Sequence, residues 1–195
     1  MTRTATTSAP LHPLLAQRWS PRSFLHTPVT DDELRSLLEA ARWAPSAGNH
    51  QPSRFLVGRA GSPAFAAIVE ALRPGNRTWA AGAPLLVVGV ARLRNDDGTE
   101  RPSATFELGL AIGQLITQAH ALDLHAHAMG GFDAEALASS FSVPDDHRAV
   151  VVVAVGHVGS PEALPAELAA REVAERRRLD LADLAFGMRW GEPAL

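Results

Sequence analysis

The seven residues Pro84-Leu85-Leu86-Val87-Val88-Gly89-Val90 constrain this chain most. They offer no polar residue to either face of an extended segment, so they read as a strand covered on both sides. Such a strand requires a sheet with helices packed above and below it. The rest of the chain supplies the partners. Thr30 with Glu33 makes a capping box, with Asp31 and Asp32 favouring the positive helix end, and Leu34, Leu37, Leu38 and Ala41 form the stripe of the helix that follows. A strand lies near Arg54 to Val57, and Pro63 opens a helix with Phe65, Ile68, Val69 and Leu72 on one side, stopping at Pro74-Gly75. Asn76-Arg77-Thr78-Trp79 reads as a polar segment with one large aromatic, and Arg92 to Arg101 as a charged turn. The longest helix runs from Pro102 to about Leu122. It is apolar nearly all round, which predicts a place in the core or across a dimer interface, covered on most sides, with Gly109 and Gly113 as a close-approach seam. Strands over Leu124 to Met129 and Val150 to Val155 flank a helix from Ala134 to Phe141 capped by Asp133; further helices are expected over Ala166 to Arg176 and Asp180 to Phe186. Four or five strands separated by helices favour an α+β, three-layer α/β/α sandwich. Residues 1–10 read as a disordered tail, and 11–195 as one domain.

Three absences narrow the chemistry. The chain has no Cys, which excludes thiolate catalysis and Cys-held metals, and no Tyr. All 18 basic residues are Arg, which excludes Schiff-base chemistry through a lysine. Any anion held by side-chain charge is held by Arg, which can bind a phosphate through two parallel hydrogen bonds. A net charge of −3 gives no footprint for nucleic acid. No apolar run is long enough to span a membrane and no signal pattern opens the chain, so a cytoplasmic protein is expected. GxGxxG after a strand, GxxxxGK[ST] and GxSxG are all missing.

Three stretches carry candidate chemistry. In Ala44-Pro45-Ser46-Ala47-Gly48-Asn49-His50-Gln51-Pro52 a helix ends and small residues leave main-chain amides uncovered before the next strand. Arg18-Trp19-Ser20-Pro21-Arg22 can surround a phosphate, and Arg176-Arg177-Arg178 offers a second half of an anion site. Met129-Gly130-Gly131 leaves bare amides at a strand end. Each has an ordinary alternative: a plain turn, or solvated arginines. His120, His125 and His127 lack a further ligand at metal spacing and read as packed or solvated, so no metal is expected.

Taken together, these motifs resemble the FMN-dependent nitroreductase family over about Arg18 to Trp190. The Arg-x-Ser-x-Arg run at Arg18, the Pro-Ser-x-x-Asn-x-Gln-Pro loop at Pro45, Gly131-Phe132-Asp133 and the basic run at Arg176 stand in that family's order. The resemblance implies a central, mostly antiparallel sheet and an intertwined homodimer with FMN at the interface. Arg18, Ser20, Arg176 and Arg178 would hold the phosphate, with Trp19 beside it, and Arg22 would reach the pyrimidine edge. Pro45, Ser46, Ala47 and Asn49 would come from the partner, and Met129, Gly130 and Gly131 would offer main-chain amides near flavin N5 and O4. Asn76 is a weaker candidate for the pyrimidine. Gly130 departs from the Glu of many members, and Arg replaces Lys throughout.

The implied activity is transfer of hydride from NADH or NADPH, through flavin, to an oxidised small molecule such as a nitroaromatic or quinone. Flavin carries the chemistry and no catalytic side chain is needed. A flavin-dependent dehydrogenase, a flavin-storage or sensing protein, and a protein without flavin remain as alternatives.

Overall fold

A computed structural model describes residues 3–195; for Met1 and Thr2 the expected disordered tail lies outside the described residues. Four strands, β1 (Ser53–Arg59), β2 (Leu85–Arg92), β3 (His125–Met129) and β4 (His147–Gly156), form one sheet in the order β1-β2-β4-β3. All three pairings are antiparallel. The helices are α1 (Pro13–Gln17), α2 (Asp31–Arg42), α3 (Pro63–Ala71), α4 (Pro74–Ala80), α5 (Ala104–Ala121), α6 (Ala134–Ser140) and α7 (Ala166–Val173).

The doubly apolar strand is β2, and it separates two cores. Leu86, Val88 and Val90 pack with Phe65 and Ile68 of α3, Trp79 of α4 and Leu137 of α6. Leu85, Val87 and Ala91 pack with Leu37 and Ala41 of α2 and Leu108 and Leu115 of α5. Helices therefore cover both faces, and the three-layer α+β sandwich with an antiparallel sheet is observed. The pairing of β2 with β4 shifts between Gly89 and Val90. A Cβ on Gly89 would lie 2.9 Å from Val151 Cγ1 and 3.2 Å from Ile112 Cδ1, so the missing side chain lets α5 seat on the sheet. The capping box forms: Thr30 Oγ1 accepts from Glu33 N at 3.2 Å and Glu33 Oε2 accepts from Thr30 N at 2.7 Å.

The structure differs from expectation in four places. Asn76 to Trp79 is helical, within α4: Pro74 occupies its first turn and buried Trp79 anchors it to the core, which four polar-looking letters did not reveal. The helix expected to reach Arg176 ends at Val173. The last expected helix is a single 3₁₀ turn, Leu181–Asp183. That segment makes little contact with its own core, leaving Leu179, Leu184, Met188 and Trp190 exposed, so nothing rewards a longer helix. Lastly, α5 is not covered all round in the single chain: Phe106, Gly109 and Gly113 are exposed on a helix otherwise mostly buried or half-buried.

Near the N-terminus, Ala5 N donates to Ala16 O at 2.8 Å, and the Arg3 guanidinium donates to the carbonyls of Glu172 and Ala174. Among the described residues no helix is long and apolar enough to cross a membrane.

Candidate functional site

The loop after α2 is built on unusual backbone. Ala47–Asn49 forms one 3₁₀ turn in which Gly48 has φ +55°, and Asn49 (+56°) and Gln51 (+50°) also lie in the left-handed region. Gly and Asn tolerate that region; Gln51 does so at a cost, which surrounding bonds must offset. Ser46 O accepts from Asn49 N at 3.0 Å and Ser46 Oγ from Gln51 N at 3.0 Å. Behind the loop, the buried carboxylate of Glu107 on α5 accepts from Ala47 N at 3.2 Å and from Ser103 Oγ at 2.7 Å. Pro45 and Ser46, with Leu38, Ala41 and Phe55, line a mostly apolar cavity of about 370 Å³.

The arginines of the two chain ends meet. Arg18 Nη1 donates to Ser20 Oγ at 3.3 Å. Arg176 reaches back to the carbonyls of Arg3, Ala16 (2.9 Å) and Arg18 (2.8 Å). Arg18 holds its proton less tightly than an ordinary arginine, first because it is half-buried and then because Arg178 is near. Arg176 is shifted the same way by burial, Arg18, Arg178 and Arg3. Among the described residues no carboxylate pairs with Arg18, Arg176 or Arg178. Trp19 lies buried, its ring centre 4.7 Å from the Arg3 guanidinium, and its Nε1 has no partner among the described residues. These cations repel one another and have no carboxylate among the described residues to offset them.

Arg22 stands at the end of this run. Its amide and that of Ser23 donate to Glu172 Oε1 on α7, at 2.7 and 3.1 Å, and its guanidinium lies 3.8 Å from Glu172 Oε2. Burial, and next the neighbouring Arg171, lower its proton affinity, against the pull of Glu172.

β3 links this run to the Gly-Gly turn. His127 on β3 sits with Nδ1 2.8 Å from Pro21 O, so Nδ1 carries the proton and donates. Its ring packs on Trp79 with centroids 4.5 Å apart. Burial pushes its pKa down to about 4, so the ring is neutral near pH 7. Three residues on, Gly130 is exposed, and a Cβ built there would meet nothing within 4 Å. Gly131 is the opposite case: its carbonyl accepts from Asn76 Nδ2 at 3.0 Å and from Arg73 N at 3.0 Å, and a Cβ there would lie 2.6 Å from Asn76 Nδ2. Met129 is buried in the core. Asn76 thus supports the turn from behind.

The predicted residues fall into two groups. Arg18, Trp19, Ser20, Arg22, Arg176 and Arg178 assemble, and the hydrogen bond of His127 to Pro21 ties them to the strand bearing Met129, Gly130 and Gly131. Pro45, Ser46, Ala47 and Asn49 form a separate site on α5, and among the described residues no hydrogen bond or ion pair joins the two. Sequence reasoning passed over the roles of Glu107 and Glu172, and read His127 as packed or solvated without its bond to Pro21. Only a lone acid inside an apolar helix hinted at the first; the other two have partners over a hundred residues away. Among the described residues no group of three His, Asp or Glu is placed to hold a metal.

Comparison with known proteins identifies the family. The family model described as the nitroreductase family matches residues 15–157. An uncharacterised 15.4 kDa protein of Mycolicibacterium smegmatis is 38% identical over 148 residues, covering 72% of this chain and 99% of that protein. A Streptomyces coelicolor protein, provisionally named an NADH dehydrogenase/NAD(P)H nitroreductase, is 32% identical over 161 residues, covering 72% of this chain and 79% of that protein. A crystal structure of an oxidoreductase containing FMN superposes with a TM-score of 0.91 at 36% identity, covering 97% of this chain and 98% of that one. The chain belongs to the nitroreductase family.

Proposed function

We propose that the protein is an FMN-dependent oxidoreductase that takes reducing equivalents from NADH or NADPH and delivers them to an oxidised small molecule, such as a nitroaromatic or a quinone. The observation that carries this reading is the cluster of Arg18, Arg176 and Arg178, without a carboxylate partner among the described residues and tied through His127 to the bare main chain at Gly130. When bound, FMN supplies the hydride-carrying centre, so the protein needs no nucleophile or metal of its own. Arg18, Ser20 and Arg178 bind the phosphate, with Trp19 beside them. Arg176 contributes charge while clamping the carbonyls of Arg3, Ala16 and Arg18. Arg22 faces the pyrimidine edge, where a fixed positive charge favours the anionic reduced cofactor. The main chain at Met129, Gly130 and Gly131 offers amides to the ring edge.

The protein acts as a homodimer in the cytoplasm, and residues 11–195 form one FMN-binding domain. The separation of the Pro45–Asn49 loop from the arginine cluster supports a site completed by the loop of a second copy. The exposed Phe106, Gly109 and Gly113 stripe of α5, and the exposed apolar residues after Leu179, are surfaces that a second copy would cover.

The test is steady-state consumption of NADH and NADPH by protein loaded with FMN and desalted, with a quinone or nitroaromatic as acceptor. Turnover that tracks flavin content supports the assignment. Retained flavin without turnover of either nucleotide indicates storage or another donor, and no retained flavin refutes the reading.

A further inference from the structure

Glu172 is among the most deeply buried charged side chains of the described residues, 2% exposed, on a helix whose one other acid, Glu167, is exposed. One oxygen, Oε1, does the visible structural task of accepting the amides of Arg22 and Ser23. The other, Oε2, is buried and has no hydrogen-bond partner among the described residues, 3.8 Å from Arg22 Nη1. A neutral acceptor would serve the two amides as well. Burying a full charge with one oxygen unpaired costs stability that a neutral acceptor would avoid. Among the described residues the guanidinium of Arg22 lies 3.8 Å from that charge, with Arg171 next in the chain and the Arg3 guanidinium on the Glu172 carbonyl as further cations nearby. We propose that Glu172 is a positioning residue that fixes the main chain of Arg22 through Oε1 and attenuates its positive charge through Oε2, and so sets the reduction potential of the bound flavin. The inference rests on the FMN reading given above.

The physical basis is electrostatic. In the two-electron couple, oxidised FMN takes up two electrons and one proton and becomes the anionic reduced form, FMNH⁻. A cation facing the ring edge stabilises that anion, and a carboxylate held behind the cation weakens the effect. Glu172 therefore keeps the flavin more reducing than Arg22 alone would, which favours onward delivery of electrons to an acceptor.

The experiment compares wild-type protein with Glu172→Gln and Glu172→Asp, each loaded with FMN. Affinity for oxidised FMN is measured by fluorescence titration, and the midpoint potential by anaerobic reduction with dithionite against a reference dye. Glu172→Gln keeps an acceptor for both amides and removes the charge. Its affinity for oxidised FMN is expected to stay within about threefold of wild type, while the ratio of reduced to oxidised binding rises about tenfold, a positive shift of ~30 mV for a two-electron couple. Glu172→Asp keeps the charge but shortens the reach. It is expected to lose oxidised-FMN affinity by about tenfold and to hold the wild-type potential. An unchanged potential in Glu172→Gln overturns the charge role. So does a Glu172→Asp potential shifted as far as tenfold in that ratio, which remains measurable even where Glu172→Gln does not fold. Wild-type protein that takes up no FMN would instead refute the underlying assignment, which separates the two failures.

Discussion

The carboxylate of Glu107, buried within α5, accepts the main-chain amide of Ala47 at 3.2 Å. A core helix thereby fixes a loop whose backbone is strained at Gln51. Glu107→Ala leaves the Ala47 amide and the Ser103 hydroxyl without their acceptor, and is expected to cost about 1–3 kcal/mol. Glu107→Gln, which can still accept, costs less. Urea denaturation measures both, and equal stability of Glu107→Ala and wild type would remove this anchor from the account.

Arg176 and Arg178 are expected to fail differently. Arg176 clamps three carbonyls of the N-terminal segment, whereas the recorded hydrogen bond of Arg178 is to its neighbour's carbonyl, Arg177 O, at 2.7 Å. Arg178→Gln should leave the melting temperature unchanged and weaken FMN by roughly tenfold or more, the worth of a charge-assisted bond to phosphate. Arg176→Gln should lower both. Thermal melts of the apo-protein, paired with FMN titration, check the contrast.

The two glycines after β3 make a second contrast. Gly131→Ala places a methyl 2.6 Å from Asn76 Nδ2 and breaks its bond to the Gly131 carbonyl, so it should destabilise the apo-protein by about 1 kcal/mol. Gly130→Ala meets nothing within 4 Å. Its urea midpoint should match wild type while FMN affinity falls, because the methyl stands where the cofactor would approach. A Gly130→Ala protein that binds FMN normally would move the ring edge away from this turn.

His127 gives the stability a pH dependence of definite sign. Its pKa is about 4 in the fold and about 6.5 in an unfolded chain, so between those values the unfolded state binds a proton that the folded state does not. Its neutral form is fully accommodated above pH 6.5, and stability falls as pH drops from 6.5 towards 4, by at most about 1.4 kcal/mol per unit from this residue. His127→Gln should flatten that slope, read as urea midpoint against pH. An identical slope would mean the ring titrates normally.

The sheet, its two cores and the order of helices were legible because β2 is apolar on both faces and the helix stripes have a clear period. The arginine runs and the Pro45–Asn49 loop were legible because each is local in sequence. What escaped was long-range. Glu172 and His127 act on residues 150 and 106 positions away, and no local pattern marks them. Asn76 to Trp79 escaped for a related reason: burial of Trp79 by distant core residues, rather than local propensity, makes that turn a helix. The apolar girth of α5 was legible, but sequence alone does not say which of its faces the single chain covers, and Phe106, Gly109 and Gly113 are exposed there.

The most direct test of the central claim is the visible spectrum of the protein after incubation with FMN and desalting, recorded without oxygen before and after adding NADH or NADPH. The account predicts a retained flavin spectrum, close to one FMN per chain, that bleaches with at least one nucleotide and returns when a quinone is added. A colourless desalted protein would contradict it.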